Sequence, residues 1–430
     1  MWTLVPTWPE RRRWCSVADP RKTPLDRGRY PILERKVGRG GARPLVYLDS
    51  AATSLVSERV TEACAAFLRT SCANIHRGAH TLAEEATDAY EGAREQLARF
   101  FGVEDAARLV FTRGATESLN LAALGWADHR LHPGDVVAVA EDNHHANIVP
   151  WQMLAERRGV RIEWIPVSSA GLLDYGAWCR IAEARPRLVA LCQQSNVLGA
   201  PQPHGLRIAR EAQEIGALVA LDGAQGAGHG PMAVDELPCD FYSCSAHKMG
   251  GLTGIGALML SERAAAEMGP VYGGGGMISR VERGGFELAP MPAALEAGTP
   301  PIAAAVAWAA ATSELEEAGL AAIATHTSRL VERARRGLAA LPGVAVLGSG
   351  MPGPFTSLAS FTVAGLHPHD VSQALDDAGV MVRAGHHCAQ PLHRALGVRA
   401  SLRASFAGYS TEEDVDALVD ALSRALENAR

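Results

Sequence analysis

The chain has 430 residues, 47% of them hydrophobic and 20% charged, with a formal net charge of −6. That length builds one large α/β core plus a smaller domain, and the near-balanced charge gives no sign of nucleic-acid binding. No run of 18 apolar residues occurs, so no membrane span is expected, and Met1 to Arg13 lacks the apolar stretch of a signal peptide.

A cytoplasmic setting follows as the expectation. The eight cysteines form no CxxC pair, which fits reduced thiols. Cys239 and Cys244 are expected to pack rather than to bind metal, and no resident metal is expected.

Residues 1–29 are rich in Arg and Pro and carry no helical or strand period. They read as a floppy extension or a misassigned start, with a basic arm for a partner as the alternative. From Tyr30 the chain becomes globular. Leu45 to Asp49 predicts a short strand. Ser57 predicts an N-cap for a helix to about Arg69, and 82–101 predicts a second helix stopped by Gly102.

Strand-like runs follow at 108–112, 136–140, 161–166, 187–192, 217–222, 239–244 and 254–260, with amphipathic stretches between the first several. This alternation predicts an α/β fold with a mainly parallel, doubly wound sheet of seven strands. Its site belongs in the loops at the carboxyl ends of the strands, where His144, Asn196, Asp222 and Lys248 fall. The Gly/Pro-rich stretch from Gly273 to Pro301 predicts loop. A helix from Pro301 to about Ala318 predicts a bridge to a small α/β unit. That unit has strands at 343–347, 357–364, 380–384 and 401–407, and helices at about 320–341, 369–378 and 411–428. The expected domains are 30–300, the 301–318 bridge, and 319–430.

The most informative stretch is Ser245-Ala246-His247-Lys248, at the end of an apolar run. Asp222 ends another such run 26 residues earlier. A Lys and an Asp on successive strand ends suit pyridoxal phosphate. The Lys forms a Schiff base, and the Asp keeps the pyridine nitrogen protonated so that the ring accepts electrons. The alternative is a solvated surface Lys. Ala115 and Thr116 open a helix after a strand, where backbone N–H groups and the Thr hydroxyl suit a phosphate. Ser245 and His247 add donors.

A longer set of motifs runs in order: Leu48-Asp49-Ser50-Ala51-Ala52, His76-Arg77-Gly78, Arg113-Gly114-Ala115-Thr116-Glu117 and His144-His145-Ala146-Asn147. It continues with Ser195-Asn196-Val197-Leu198-Gly199, Asp222-Gly223-Ala224-Gln225, Ser245-Ala246-His247-Lys248, Glu296-Ala297-Gly298-Thr299-Pro300 and Arg383-Ala384-Gly385-His386-His387-Cys388. With this set the chain resembles the cysteine desulfurases and selenocysteine lyases of the class V aminotransferases (fold type I pyridoxal-phosphate enzymes), in their group II, SufS-like branch. The resemblance spans about residues 30–428.

It implies a role for each position. Lys248 would be the Schiff-base lysine and would move the Cα proton. Gln225 would bond the ring hydroxylate, and His144 would stack on the ring. Arg403, aided by Asn196 and Arg383, would clamp the substrate carboxylate. Thr299 would reach the phosphate in the other subunit of a homodimer. Cys388 would attack the sulfur of bound L-cysteine, leaving a Cys388 persulfide and alanine. His386 and His387 would tune the thiol or meet the acceptor. Only eight residues separate Arg383 from Leu392, and so short a loop implies a visiting acceptor protein of SufU or SufE type. His369, in His367-Pro368-His369-Asp370, matches a position that exchanges onto the zinc of a SufU-like partner. Iron–sulfur cluster assembly would be the destination.

The chain departs from the pattern at Met249 to Gly254, at Pro301 and at Lys36 to Arg43, away from the core chemistry. Selenocysteine lyase is one alternative. Another class V activity (epimerase, transaminase or C–S lyase) is a second, and a cofactor-binding scaffold without turnover is a third.

Overall fold

The computed structural model describes residues 23–76 and 78–428. Its centre is a seven-stranded sheet in the order Leu109–Thr112, Gly256–Leu260, Phe241–Ser245, Leu218–Asp222, Leu188–Cys192, Val136–Ala140 and Arg161–Ile165. Only Gly256–Leu260 runs antiparallel to its neighbours. The central strands read as continuous apolar runs because helices cover both faces. Alternate residues therefore feed two cores: Val137 and Val139 point into one, Ala138 and Ala140 into the other.

The helices begin and end where local chemistry directs. Ser57 caps Glu58–Thr70, its Oγ accepting the Val60 N–H, and Gly102 ends Thr81–Phe101 in a left-handed conformation. Ile302–Ala318 packs across both helices, with Trp308 fully buried. It leads to a four-stranded antiparallel sheet in the order Val344–Val346, Leu358–Val363, Ser401–Ser405 and Arg383–Gly385. Helices Leu320–Ala339, Pro368–Asp377 and Glu412–Asn428 share a third core with it. Among the described residues no helix is long and apolar enough to cross a membrane.

Four expectations need correction. The run 380–384 is two strands: Val380–Met381 pairs in parallel with Val46–Tyr47, while Arg383–Gly385 joins the four-stranded sheet. The expected loop before Pro301 contains a hairpin, Ile278–Glu282 with Gly285–Leu288, exposed on both faces, so no burial pattern marks it. A six-residue helix, Gln390–Ala395, follows Cys388 unannounced. Finally, the extension expected over 1–29 is packed where it is described. Leu25 is buried and its N–H bonds the Gly408 carbonyl, while Arg27 pairs with Asp414 at 2.8 Å. Residues 1–22, with the basic-arm alternative, lie outside the described residues, as does Arg77.

Candidate active site

Twelve of the residues singled out in the sequence meet in one cleft of about 220 Å³ between the two sheets. They are Ala115, Thr116, His144, Asn196, Asp222, Gln225, Ser245, His247, Lys248, Arg383, Cys388 and Arg403. Their elements explain the convergence. Asp222 and Ser245 end adjacent parallel strands, Lys248 follows in the next turn, and Arg403 lies on an inner strand of the second sheet.

Asp222 is buried, and its Oδ1 accepts the Ala224 N–H at 3.0 Å. Burial pushes its carboxyl up, opposed by that N–H and by Lys248. Withdrawal from water pushes the Lys248 ammonium down to about 8, with Asp222 acting against the shift and Arg403 and Arg383 adding to it. His144 is pushed down to about 3, first by burial and then by Lys248, so its ring is neutral. Its Nδ1 accepts the Ala146 N–H, which leaves the proton on Nε2.

Ser245 Oγ accepts the Ala115 N–H at 2.8 Å, so its own O–H remains available to donate. The turn before that helix needs Gly114, at φ 148°, and needs Gly256 beneath it, where a Cβ would strike the Gly114 backbone.

On the opposite wall, Arg403 donates to the Asn196 carbonyl at 3.1 Å and pairs with Asp49 at 3.2 Å. Arg383 lies directly across from Arg403 on the neighbouring strand, placing two cations side by side. Burial pushes the Asp49 carboxyl up, while Arg403 and Arg383 pull it back. Cys388 is exposed at this wall. It and His387 hold left-handed backbone angles, φ 56° and 52°, uncommon for residues other than Gly.

Asn196 Nδ2 donates to the His387 carbonyl at 2.6 Å, so its amide is committed to the Cys388 loop as well as lining the cleft. Thr299 is elsewhere: it lines a surface hollow with His76, Gly275 and Gly276. His369 is exposed at the start of Pro368–Asp377, a helix packed on the strand that leads into the Cys388 loop. Among the described residues no cluster of His, Cys, Asp or Glu is arranged to hold a metal.

Three further features carry signals that the sequence showed only faintly. Cys192 and Gln194 also line the cleft, at the end of Leu188–Cys192, where loop position alone could have suggested them. Gln194 bonds Thr356 and Ser357, tying this wall to the second sheet. The 49–54 segment acts as a stitch. Ser54 binds the carbonyls of His247 and Lys248, Gln225 donates to the Ala51 carbonyl, and Ala51 N–H bonds Ser405 Oγ.

The comparisons decide the family. The aminotransferase class-V model matches residues 46–418. A probable cysteine desulfurase of Streptomyces coelicolor is 42% identical over 91% of this chain and 94% of its own length. Another, from Mycobacterium leprae, is 44% identical over 94% of this chain and 98% of its own length.

The chain belongs to the class-V aminotransferases, among the cysteine desulfurases.

Solved structures agree. The apo cysteine desulfurase from Thermococcus onnurineus superposes with a TM-score of 0.86 at 37% identity, over 89% of this chain and 95% of that one. The cysteine desulfurase CsdA from Escherichia coli, in an S-sulfonic acid form, gives 0.85 at 40% identity, over 94% and 98%. Pyridoxal phosphate is the cofactor of this family. The cleft of this desulfurase fits it on the chain's own evidence. Gln225 Oε1, His247 Nδ1 and Arg403 Nε are buried polar atoms without partners in the protein, and all belong to cleft residues.

Proposed function

We propose that the protein is an L-cysteine desulfurase that converts L-cysteine to L-alanine and carries the sulfur away as a Cys388 persulfide. The observation that carries this is an exposed thiol, Cys388, on the same 220 Å³ cleft as Lys248, Asp222 and Arg403. Pyridoxal phosphate supplies an electron sink for the bonds broken at the substrate carbons.

The protein's residues do the rest. Asp222 would hold a proton on the pyridine nitrogen, Gln225 would offer its second Nε2 hydrogen to the ring hydroxylate, and His144, neutral, would cover the ring. Ser245 O–H, His247, and the hydroxyl and N–H of Thr116 would hold the phosphate; the Ala115 N–H, expected to join them, is instead bonded to Ser245 Oγ and orients that hydroxyl. Arg403, steadied by Asp49 and flanked by Arg383 and Asn196, holds the substrate carboxylate. Lys248 carries the proton to and from Cα, for which an amine held near 8 is suited. Cys388 attacks the substrate sulfur as the thiolate. The sulfur–sulfur bond forms, the Cβ–sulfur bond breaks, and L-cysteine plus the thiol become L-alanine plus the persulfide.

The half of the chain built on the seven-stranded sheet, about 30–300, holds the cofactor in this reading. The half after the 301–318 helix brings the nucleophile. Thr299, outside its own subunit's cleft, is left to serve the partner in a homodimer. The short Cys388 loop supports a SufS-like branch and an acceptor protein of SufU or SufE type that comes to the thiol. Exposed His369, next to the loop-bearing strand, is the contact for a zinc-bearing acceptor. Iron–sulfur cluster assembly in the cytoplasm is the proposed destination.

Purified holoenzyme given L-cysteine and a reductant should yield equimolar alanine and sulfide, and Cys388→Ala should not. Pyruvate and ammonia instead would make it a C–S lyase. A Cys388→Ala protein that still releases selenium from L-selenocysteine would favour the selenocysteine lyase alternative, since selenide leaves without a nucleophile's help.

A further inference from the structure

We infer that His145 is a positioning residue that latches the Cys388 loop onto the cofactor-binding half of the molecule. The inference rests on the desulfurase reading for its function but on hydrogen bonds for its geometry.

His387 and Cys388 are two consecutive non-Gly residues in the left-handed region, an arrangement that persists only where surroundings impose it. Within the loop, the Ala389 N–H bonds the His386 carbonyl at 2.9 Å. His387 is further braced by its Nε2, 3.1 Å from Ser401 Oγ. His393 holds the Ala389 carbonyl from the same half, and further bracing crosses from the other half. The His145 N–H bonds the Cys388 carbonyl at 2.7 Å, and the Gln390 N–H bonds His145 Nε2 at 3.1 Å. Asn196 Nδ2 bonds the His387 carbonyl at 2.6 Å.

His145 thus grips the chain just after the thiol-bearing carbon at two points, its N–H on the Cys388 carbonyl and its ring on the Gln390 N–H, while Asn196 holds the His387 carbonyl just before it. Because Gln390 offers an N–H, His145 Nε2 presents its lone pair, and the ring proton sits on Nδ1. The neighbouring His144 lines the cleft. One two-residue segment therefore touches the cofactor site with one ring and the nucleophile's loop with the next. The second tether repeats the arrangement, since Asn196 holds the loop by its side chain and Arg403 by its carbonyl.

The test uses holoenzyme variants His145→Phe, which keeps a ring but removes the acceptor, and His145→Gln, whose amide oxygen can restore it. Three quantities are measured: kcat and KM for L-cysteine, the cofactor absorbance, and the iodoacetamide labelling rate of Cys388 read peptide by peptide. The Phe variant is expected to lose several-fold to about tenfold in kcat with KM within about twofold, the scale of one lost hydrogen bond whose exposed Gln390 N–H turns to solvent. Its absorbance should be unchanged and its Cys388 labelling several-fold faster, and the Gln variant should recover most of both effects. Wild-type kcat and labelling in the Phe variant would overturn the latch. So would a Gln variant as impaired as the Phe variant, a changed absorbance, or a fall in kcat without a change in labelling. If the labelling pattern holds while wild type makes no alanine, the latch stands and the desulfurase reading falls.

Discussion

The two walls of the cleft are built on opposite principles. The cofactor wall stands on strand ends of a doubly covered sheet: Asp222 and Ser245 are buried, and the 49–54 segment and Gly114 brace the turns beside them. The other wall, called the nucleophile wall after the role proposed for Cys388, hangs from a three-residue strand, passes through two left-handed residues, and leaves Cys388 exposed. Burial tunes the groups of the first wall, pushing Lys248 and His144 down and Asp222 up. In the proposed reaction exposure serves the second, because a thiol that hands its sulfur on has to be reachable. In that reading binding and delivery need different surroundings, and the fold supplies each from a different sheet.

The largest expected effect separates the walls directly. Cys388→Ala should keep the cofactor absorbance and lose desulfuration of L-cysteine down to background, whereas Lys248→Ala should change the absorbance and lose turnover together, by at least ~10²–10⁴-fold. Both are read by spectrum and alanine assay on the same preparations. If Cys388→Ala turned over normally, the second wall would have no part in the chemistry.

Next comes the proposed carboxylate clamp, Arg403, on the sheet that bears the Cys388 wall. Arg403→Lys keeps the charge but loses the fork that grips a carboxylate with two parallel N–H groups. One charge-assisted hydrogen bond is worth ~1.5–3 kcal/mol, so KM for L-cysteine should rise roughly 10- to 150-fold with a smaller change in kcat. An unchanged KM would move carboxylate binding to Arg383, its cross-strand neighbour.

The cofactor wall was legible in the sequence because its signals are local. A buried parallel strand is an apolar run, so the polar residue that ends it stands out, as Asp222 and Ser245 do. The left-handed Cys388 loop was legible only by its motif, since nothing in Gly385-His386-His387 announces two positive φ angles. What joins the walls was not legible at all. His145 reaches Gln390 and Asn196 reaches His387 across 245 and 191 residues of sequence, and no periodicity encodes such a bond. The hairpin at 278–288 escaped for another reason: both faces meet solvent, and glycines flank it, so alternation carries no information there.

A third prediction reads the tuning of the cofactor wall. With Lys248 near 8, its amine is roughly 10% neutral at pH 7 and roughly 90% at pH 9. Reloading of apoenzyme with pyridoxal phosphate should therefore speed up about tenfold between those values and then level off. A rate still climbing at the same slope beyond pH 9 would mean an ordinary exposed lysine and a wall without the burial described.

The smallest effect compares the walls by their buried histidines. His229 lies behind Lys248, and burial, then the Lys248 charge, pushes it down to about 4. His387 lies in the Cys388 loop, pushed down to about 2 by burial and then by Arg403. Both folded values fall below the usual 6.5, so the unfolded chain binds protons that the folded chain refuses. Their neutral forms cost the fold nothing above about pH 6.5, and stability is lost as pH falls below it. Each group contributes a slope of up to ~1.4 kcal/mol per pH unit, continuing until its folded value is reached. Urea unfolding between pH 7 and pH 5 should show this loss, and His229→Gln should flatten it by about one group's share. Between pH 4 and pH 3 the two walls should part. His229 becomes able to charge in place and its contribution stops growing, while that of His387 continues. A His387→Gln variant that flattens the slope only above pH 4 would put the folded value of His387 level with that of His229 and erase the difference between the walls.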